Sequence, residues 1–335
     1  MPLKTVWKKS CPSNKSDESN GNGDSPAPKV TLSLDKLALT LKSKDGSGVA
    51  ALVSSLSEAA AGPSNMVKNL FYVNPAPGSS DYAARAWLAV YVGITSHRIL
   101  IETGPKKSKL SDVRVEFNPS ALGPIGVTRL KHWLRDYCPP WVHWNRVVTH
   151  AKATRVDVAV DVEGVRIDTL NLASKRHGEC ITFTSKGRLE TIYFGTDTKP
   201  HRRPVVYDKR REIKKRLGVD PGMEITRFEV RLYSNFSALA EIQGVKNPLK
   251  VFEVSSVATS PGLDTDWKYR CFLDSVRFRG AHAALAMLPK HQRHAYKARL
   301  FPTPPIWWEP TTIWSKWPSV VGALGLLSVK GPKAA

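Results

Sequence analysis

One tyrosine of the chain lies where a short apolar run meets a cluster of basic residues. Tyr207 ends the run "PVVY", and Asp208, Lys209, Arg210 and Arg211 follow it directly. A phenol has a pKa of about 10 and is therefore a weak nucleophile at neutral pH. Cations beside it would bind a phosphate and favour the phenolate, which prepares a tyrosine for nucleophilic attack. Taken alone, a tyrosine before basic residues is most often structural, so both interpretations stay open.

Acidic residues recur in an Arg-x-acid pattern on three segments that alternate as β-strands do. In "TRVDVAVDVEG" (154–164) four valines share one face, while Arg155, Asp157 and Asp161 share the other. The other two segments carry Arg114 with Glu116 and Arg227 with Glu229. If the three strands are neighbours, their carboxylates form a patch that suits Mg²⁺ or Mn²⁺, which take carboxylate oxygens as ligands.

Spacing limits which carboxylates can share one ion. Residues on a strand rise about 3.3 Å each, so Asp157 and Asp161 lie roughly 13 Å apart. We therefore predict that Asp157 and Glu229 bind the metal from adjacent strands, with Glu116 and Asp161 as further candidates. The alternative is a ladder of arginine–carboxylate pairs that stabilises the sheet without a metal.

The chain as a whole is strongly basic. Its 335 residues contain 50 lysines and arginines against 29 aspartates and glutamates, a formal net charge of +21. This excess favours a polyanionic partner, because each neutralised phosphate releases condensed counterions. Nucleic acid is the predicted partner, and the predicted phosphate contacts beside the tyrosine are Arg202, Arg203, Arg210 and Arg211.

A second basic segment, "LPKHQRHAYKARL" (288–300), is predicted to be helical. Its basic side chains Lys290, Arg293, Lys297 and Arg299 would reach base edges in a major groove. A solvated basic helix with nonspecific contacts explains the pattern equally well.

Several classes of protein are disfavoured. No apolar run reaches the roughly 20 residues that span a bilayer, and the N-terminus lacks the continuous apolar segment of a secretory signal. The four cysteines form no CxxC pair, which argues against a zinc ribbon or a disulfide framework. We expect a cytoplasmic protein with reduced thiols and no membrane partner.

Composition divides the chain into four parts. Residues 1–65 are predicted to be a disordered or accessory arm, with disorder over 10–28. The predicted catalytic body covers 66–260, and a basic helical region follows over 261–300. The last part, 301–335, is a tail rich in proline and tryptophan. The body indicates an α+β fold with an antiparallel or mixed sheet and flanking helices. Segments 89–122 and 191–239 share a Tyr-x-Gly strand, a second strand, an Arg-x-Glu strand and Ser-Ala-Leu, which suggests duplicated β-β-β-α units.

The tail "FPTPPIWWEPTTIWSKWP" (301–318) is predicted to be extended rather than helical, because proline is excluded from helix interiors. Its tryptophans either pack back onto the body or form a stacking surface for a partner or a single strand. Packing is favoured, since terminal segments become ordered by docking onto their own domain.

The ordered set "TRVDVAVDV", "TIYFGTDTKPHRRPVVYDKRRE" and "ITRFEVRLYSN" resembles the replication initiation factor (Rep-trans) family. These are rolling-circle initiators of Gram-positive plasmids and filamentous phages, and the resemblance covers about residues 68–260. It implies a protein that nicks one strand at the origin, joins the 5′ end to a tyrosine and later rejoins the strand. Applied to this chain, the resemblance implies that Tyr207 is the nucleophile and that Lys209 is the lysine that accompanies it. It also implies that Asp157 and Glu229 are the acidic residues of the site. "GTDTKPHRR" departs from the family by a threonine and an inserted Pro-His, which puts the register of 196–204 in question.

The resemblance also implies partners and a location. These are the double-stranded origin, the single-stranded product, a host helicase, and a second copy in a homodimer, all in the cytoplasm of a bacterial host. A separate helicase is expected because the chain has no GxxxxGK[ST] phosphate-binding loop.

Three other classes of nucleic-acid protein can be compared with this one. The histidines form no His-hydrophobic-His triplet, which disfavours the other large class of rolling-circle nucleases. A strand-rich centre disfavours the helical tyrosine recombinases. The remaining alternative is a non-enzymatic basic single-stranded-DNA-binding protein, in which Tyr207 and the tryptophans only stack on bases and the acids tolerate substitution.

Overall fold

The computed structural model of the chain describes residues 27–43, 48–61, 66–67, 71–76, 79–92, 95–195, 202–233, 236–259 and 266–328. The strands are β1 (Lys29–Leu41), β2 (Met66–Val67), β3 (Phe71–Ala76), β4 (Tyr82–Val92), β5 (Thr95–Pro105), β6 (Val113–Phe117), β7 (Lys152–Glu163), β8 (Leu170–Ser174), β9 (Cys180–Ser185), β10 (Arg188–Phe194), β11 (Arg202–Asp208), β12 (Ile225–Leu232) and β13 (Phe252–Ser256). The α-helices are α1 (Gly48–Ala61), α2 (Pro119–Tyr137), α3 (Trp144–His150), α4 (Lys209–Leu217), α5 (Trp267–Arg279), α6 (Ala281–Ala286), α7 (Lys290–Leu300), α8 (Pro310–Ser315) and α9 (Trp317–Ala323). The fold is α+β, as the sequence predicts.

Eleven of the described strands form one antiparallel sheet. Their order is β2-β3-β4-β5-β6-β1-β7-β12-β11-β10-β9. Strands β8 and β13 form a separate antiparallel pair. The three strands predicted to carry Arg-x-acid are β6, β7 and β12, of which β7 and β12 are direct neighbours.

The structure corrects the predicted N-terminal boundary. Strand β1 belongs to no accessory arm, because it lies in the middle of the sheet between β6 and β7. Its side chains Leu34 and Leu37 are fully buried, so the strand is part of the main core. Most of the segment predicted to be disordered, 10–28, lies outside the described residues.

The sheet has an apolar face and a polar face. The apolar face is the side that carries Val156, Val158, Val160 and Val162, all completely buried in the core. The opposite side, the polar face, carries the charged residues of the same strand. The alternation read from the sequence of β7 is therefore confirmed, and it separates the core from the candidate site.

The C-terminal tail is part of the core on the apolar face. Trp308 stacks on Phe228 with ring centroids 4.2 Å apart, and Trp317 donates its indole N–H to the carbonyl of Ile242 at 2.7 Å. The predicted packing of the tail onto the body is confirmed. Its predicted extended conformation is corrected, since α8 and α9 are helical. Pro310 and Pro318 occupy first-turn positions, where a missing N–H costs no hydrogen bond.

Two strand meanders occupy equivalent places in the sheet. β4-β5-β6 ends beside β1, and β10-β11-β12 ends beside β7, while β1 and β7 pair with each other at the centre. The units differ after their last strand, because α2 has 19 residues whereas a six-residue 3-10 helix, Leu239–Gly244, follows β12. Duplication of a β-β-β-α unit therefore stays a prediction.

The helices α5, α6 and α7 have a small core of their own. Tyr269, Phe272, Leu273, Val276 and Leu300 are buried together there, apart from the main core. Among the described helices, none combines the length and the apolar character needed to cross a lipid bilayer.

Candidate active site

The predicted nucleophile and acids lie together on the polar face. In the strand register Tyr207 pairs with Arg227, and Arg227 pairs with Asp161 on β7. Paired residues of neighbouring strands point to the same side of a sheet, so β11, β12 and β7 bring these side chains together. Glu116 is farther away, since β1 separates its strand from β7.

An arginine bonds each of the four predicted metal ligands. The pairs are Arg155 with Asp157 (2.6 Å), Arg227 with Asp161 (2.6 Å), Arg231 with Glu229 (2.7 Å) and Arg114 with Glu116. Arg227 also pairs with Asp35 at 2.5 Å. Asp35 lies in β1 at a shift in the register with β7. These contacts are the ones expected of an arginine–carboxylate ladder. Such a ladder is the alternative to a metal site that the sequence left open.

Asp157 and Glu229 are the most deeply buried of the four acids, with exposed fractions of 1% and 3%. Asp157 pairs in register with Arg231, and Glu229 with Ala159, so the two carboxylates are diagonal neighbours across β7 and β12. Burial raises the pKa of Asp157 to about 6 and outweighs the opposing effect of Arg155; the charge of Glu229 adds to the rise. A proton on Asp157 is thus retained to a higher pH than in an exposed aspartate.

A divalent cation does not fit these acids in their present contacts. Both oxygens of Asp157 accept from the Arg155 guanidinium, and the two oxygens of Glu229 accept from Arg231 and from Tyr207. An incoming metal would have to displace cations that already satisfy the carboxylates. Within the described part of the chain, no three His, Cys, Asp or Glu side chains are grouped so that they could hold an ion. The Mg²⁺ or Mn²⁺ site therefore stays a prediction.

Tyr207 is in contact with a proton acceptor. Its hydroxyl donates to Oε2 of Glu229 at 3.2 Å. Burial raises the pKa of Tyr207 above its ordinary value and the charge of Glu229 raises it further, while Arg227 has the opposite effect. The phenol is therefore held in its protonated form more firmly than in a free tyrosine, and the phenolate expected beside a metal and cations stays a prediction. A carboxylate at hydrogen-bond distance from the phenol proton is the geometry of a general base.

The basic helix α4 begins immediately after the tyrosine strand. The Asp208 side chain caps it by accepting from the backbone N–H of Arg211 at 2.9 Å, and Gly218 ends it with a φ of 72°. No residue of α4 is buried. Lys209 Nζ lies 5.9 Å from the centre of the Tyr207 ring and pairs with Glu212 at 2.6 Å, so the predicted companion lysine is beside the tyrosine.

The charges of α4 agree in part with its dipole. Asp208 caps the helix, Glu212 lies in its first turn, and the last turn carries basic residues, as the dipole favours. The first turn also carries Lys209, Arg210 and Arg211, whose cations pair with Glu212, Asp220 and Glu190 in that order.

An open groove of about 690 Å³ lies between α4 and the polar face. Two tyrosines, Tyr193 and Tyr207, line it together with the acids Glu190, Asp208 and Glu212, and with the cations Arg211, Lys214, Lys215 and Arg231. Arg211 pairs with Glu190 and donates to the Ser185 hydroxyl at 2.9 Å, which ties α4 to the last strands of the sheet. The groove therefore brings four cations and three acids together with Tyr207, and two of these cations, Arg211 and Arg231, pair with Glu190 and Glu229.

The other predicted phosphate contacts are divided between two places. Arg202 begins β11, and Arg203 pairs in register with Arg231 on the polar face. Arg210 instead bonds Asp220 at 2.8 Å and Glu224 at 2.7 Å, so its charge is neutralised away from the tyrosine.

The predicted base contacts on α7 are largely engaged within the protein. Arg293 donates to the carbonyls of Leu288 and Ala286, Arg299 pairs with Asp266 at 2.8 Å and lies 3.8 Å from the Tyr269 ring centre, and Lys297 pairs with Glu253 at 3.5 Å. Lys290 is exposed at the start of the helix. The exposed surface of α7 also includes His291 and His294, which the sequence reasoning did not select.

Other residues of the site were also missed from the sequence. Arg231 continues the alternation of Arg227 and Glu229, so the period of two was a usable signal for it. Lys214 and Lys215 belong to the run "KRREIKKRL", whose helical spacing relates them to Arg211. Asp35 had no local signal, because its contact with Arg227 depends on β1 joining the sheet.

Comparison with models of known protein families finds no match to this chain, and a search of curated proteins finds none either. The resemblance to the replication initiators therefore depends on the ordered sequence motifs alone.

Proposed function

We propose that the chain is a rolling-circle replication initiator that nicks one strand of DNA at an origin with Tyr207 as nucleophile. The contact between the Tyr207 hydroxyl and Glu229 carries the proposal, because it supplies both a nucleophile and an acceptor for its proton. The cations of the groove beside it support binding of the phosphodiester. The proposed setting is the cytoplasm of a bacterial host, with a host helicase and a second copy of the chain as partners.

The proposed step forms one bond and breaks one bond. Tyr207 Oη attacks the scissile phosphorus while its proton passes to Oε2 of Glu229. The bond from phosphorus to the 3′ oxygen breaks, and that oxygen takes a proton from solvent. A 5′-phosphotyrosyl intermediate and a free 3′-hydroxyl result. Attack by a 3′-hydroxyl on the intermediate reverses the step and rejoins the strand, with Glu229 returning the proton to Tyr207.

Detection of the covalent intermediate tests the proposal. The full chain is incubated with supercoiled DNA that carries its own origin, in Mg²⁺ or Mn²⁺, and a detergent-resistant protein–DNA adduct is sought. Tyr207→Phe should abolish the adduct and leave DNA binding nearly unchanged. Tyr193→Phe is a matched control, because Tyr193 lines the same groove without a bond to Glu229. An adduct that persists in Tyr207→Phe and disappears in Tyr193→Phe would reassign the nucleophile.

The metal is a separate part of the proposal. The resemblance implies Mg²⁺ or Mn²⁺ as a cofactor, and a metal could bind Asp157 and Glu229 only if it displaced the guanidinium groups of Arg155 and Arg231. Adduct formation is compared in EDTA and in added Mn²⁺. If the adduct forms at an undiminished rate in EDTA, no metal is required, and the acids serve only in the arginine–carboxylate ladder.

One observation favours the second candidate function, a non-enzymatic single-stranded-DNA-binding protein. Arginines pair with both Asp157 and Glu229, and a protein that only stacks bases needs these acids for no purpose beyond those pairs. In that case no adduct forms in any condition, and Glu229→Gln leaves DNA affinity unchanged.

A further inference from the structure

The last strand of the sheet presents apolar side chains to solvent beside the groove. Ile181 and Phe183 on β9 are 50% and 53% exposed, and both lie on the polar face. In register, Ile181 pairs with Tyr193 and Phe183 with Thr191, two residues that line the groove of Tyr207. The Phe183 and Tyr193 rings meet edge to face with centroids 6.0 Å apart. Together Ile181, Phe183 and Tyr193 form a small patch that we call the aromatic platform.

The other face of β9 packs on the end of α5. The Thr182 hydroxyl donates to the Phe278 carbonyl at 2.7 Å, and the Cys180 thiol donates to the Arg279 carbonyl at 3.3 Å. Cys180 and Thr182 alternate with Ile181 and Phe183, so the helix holds the strand from behind and leaves the face of Ile181 and Phe183 exposed.

The groove beside the platform is lined by four cations and three acids, a small excess of positive charge that favours an anionic occupant. Arg211 reaches β9 through its bond to Ser185, and Lys214, Lys215 and Arg231 line the adjoining groove. An apolar patch bordered by cations matches a nucleic acid that presents bases and phosphates together. Bases in a duplex are stacked on each other, so only a single strand offers a free base face to a ring.

We propose that the aromatic platform stacks the unpaired bases next to the phosphate held at Tyr207. β9 and β11 are separated by one strand, so the platform lies about 10 Å from Tyr207 across the sheet. A strand that leaves the groove over Tyr193 reaches Phe183 directly. This inference deepens the proposed function and rests on it for the position of the scissile phosphate, whereas the stacking itself requires no catalysis.

Binding of a fluorescein-labelled oligothymidylate, followed by anisotropy, tests the platform in the full chain. Phe183→Leu keeps the apolar bulk and removes the ring, and it should weaken single-strand binding about tenfold, since one stacked base contributes about 1–3 kcal/mol. Binding to a duplex of equal length should not change. Phe183→Tyr restores a ring and should bind as the native chain does. Trp267→Leu is the matched control, because Trp267 is an exposed aromatic at the other end of α5.

The outcomes test the aromatic platform independently of the proposed nicking activity. An unchanged single-strand affinity in Phe183→Leu, or an equal loss for duplex, overturns the platform even if the adduct forms. A selective loss of single-strand affinity supports it even if no adduct forms, and then the nicking proposal fails alone. A changed oligomeric state without a change in DNA affinity would assign the patch to a second copy of the chain and overturn the inference. Equal thermal melting of the variants shows that each is folded.

Discussion

Replacing Glu229 with glutamine separates the chemical step from the architecture. Glutamine keeps the size of the side chain and a donor–acceptor group, but it cannot take the proton of Tyr207. Because burial keeps that phenol protonated, the nucleophile must lose its proton during attack, and a positioned base contributes about 10²–10⁴-fold to such a rate. We therefore expect adduct formation to slow by at least about 100-fold, or about 2.7 kcal/mol in the activation barrier.

The same substitution should have a moderate effect on folding. Glutamine removes the charge that pairs with Arg231 at 2.7 Å, but its amide oxygen still accepts one hydrogen bond, so we expect a cost of about 1.5–3 kcal/mol. Single-turnover adduct formation at saturating protein measures the rate, and urea denaturation measures the stability. Glu116→Gln is the matched control, since Glu116 is also paired with an arginine but lies beyond β1 from the site. A Glu229→Gln rate equal to the native rate would refute the base assignment, and equal losses in both variants would indicate a general disturbance of the sheet.

Three further predictions follow from burial and charge. Trp308→Ala should lower the free energy of unfolding by about 3–5 kcal/mol in urea denaturation, because Trp308 is 2% exposed, whereas Trp267→Ala should change it by less than about 0.5 kcal/mol. The double variant Lys214→Gln/Lys215→Gln should flatten the log–log salt dependence of single-strand binding by about 0.7 per lost phosphate contact, so an unchanged slope would remove α4 from the DNA path. The raised pKa of Asp157 favours the protonated form in the folded state, so its contribution is present below the ordinary pKa and is lost as pH rises through about 6. The stability deficit of Asp157→Asn relative to the native chain should therefore shrink by up to about 3 kcal/mol between pH 3.5 and pH 7.5, and a constant deficit would contradict the raised pKa.

Local periodicity was sufficient to predict most of the strands that hold the site. β7 alternates valine with charged residues, and β12 repeats the pattern, so the period of two identified both strands and the face on which their acids lie. The N-terminal part of α4 was also visible, as a run of basic residues behind Tyr207. These signals depend on neighbours in the sequence and needed no knowledge of the tertiary fold.

Long-range pairing explains what the sequence did not reveal. The place of β1 between β6 and β7 depends on partners about 70 to 135 residues away, and its own pattern fitted a strand or a helix. The raised pKa of Tyr207 was equally inaccessible, because the sequence shows the adjacent cations but not the burial that outweighs them. The tail was predicted to pack, yet its helices were missed because prolines at first-turn positions resemble prolines that break a helix.

The ladder on the polar face is better explained by positioning than by stability. A buried ion pair is often no more stabilising than well-packed apolar side chains of similar volume, because both charges must be removed from water. The sheet already has a large apolar face, so it does not need charged pairs to hold its strands together. Arg231 engages Oε1 of Glu229 and leaves Oε2 facing the Tyr207 hydroxyl, so the pair fixes the carboxylate in the orientation that a proton transfer requires. Arg231→Leu should then lower the rate of adduct formation measured on the folded protein, and it should also cost about 3–5 kcal/mol of stability, because it leaves the buried Glu229 charge without its cation. A variant with the native rate would show that Glu229 is oriented by the strand alone.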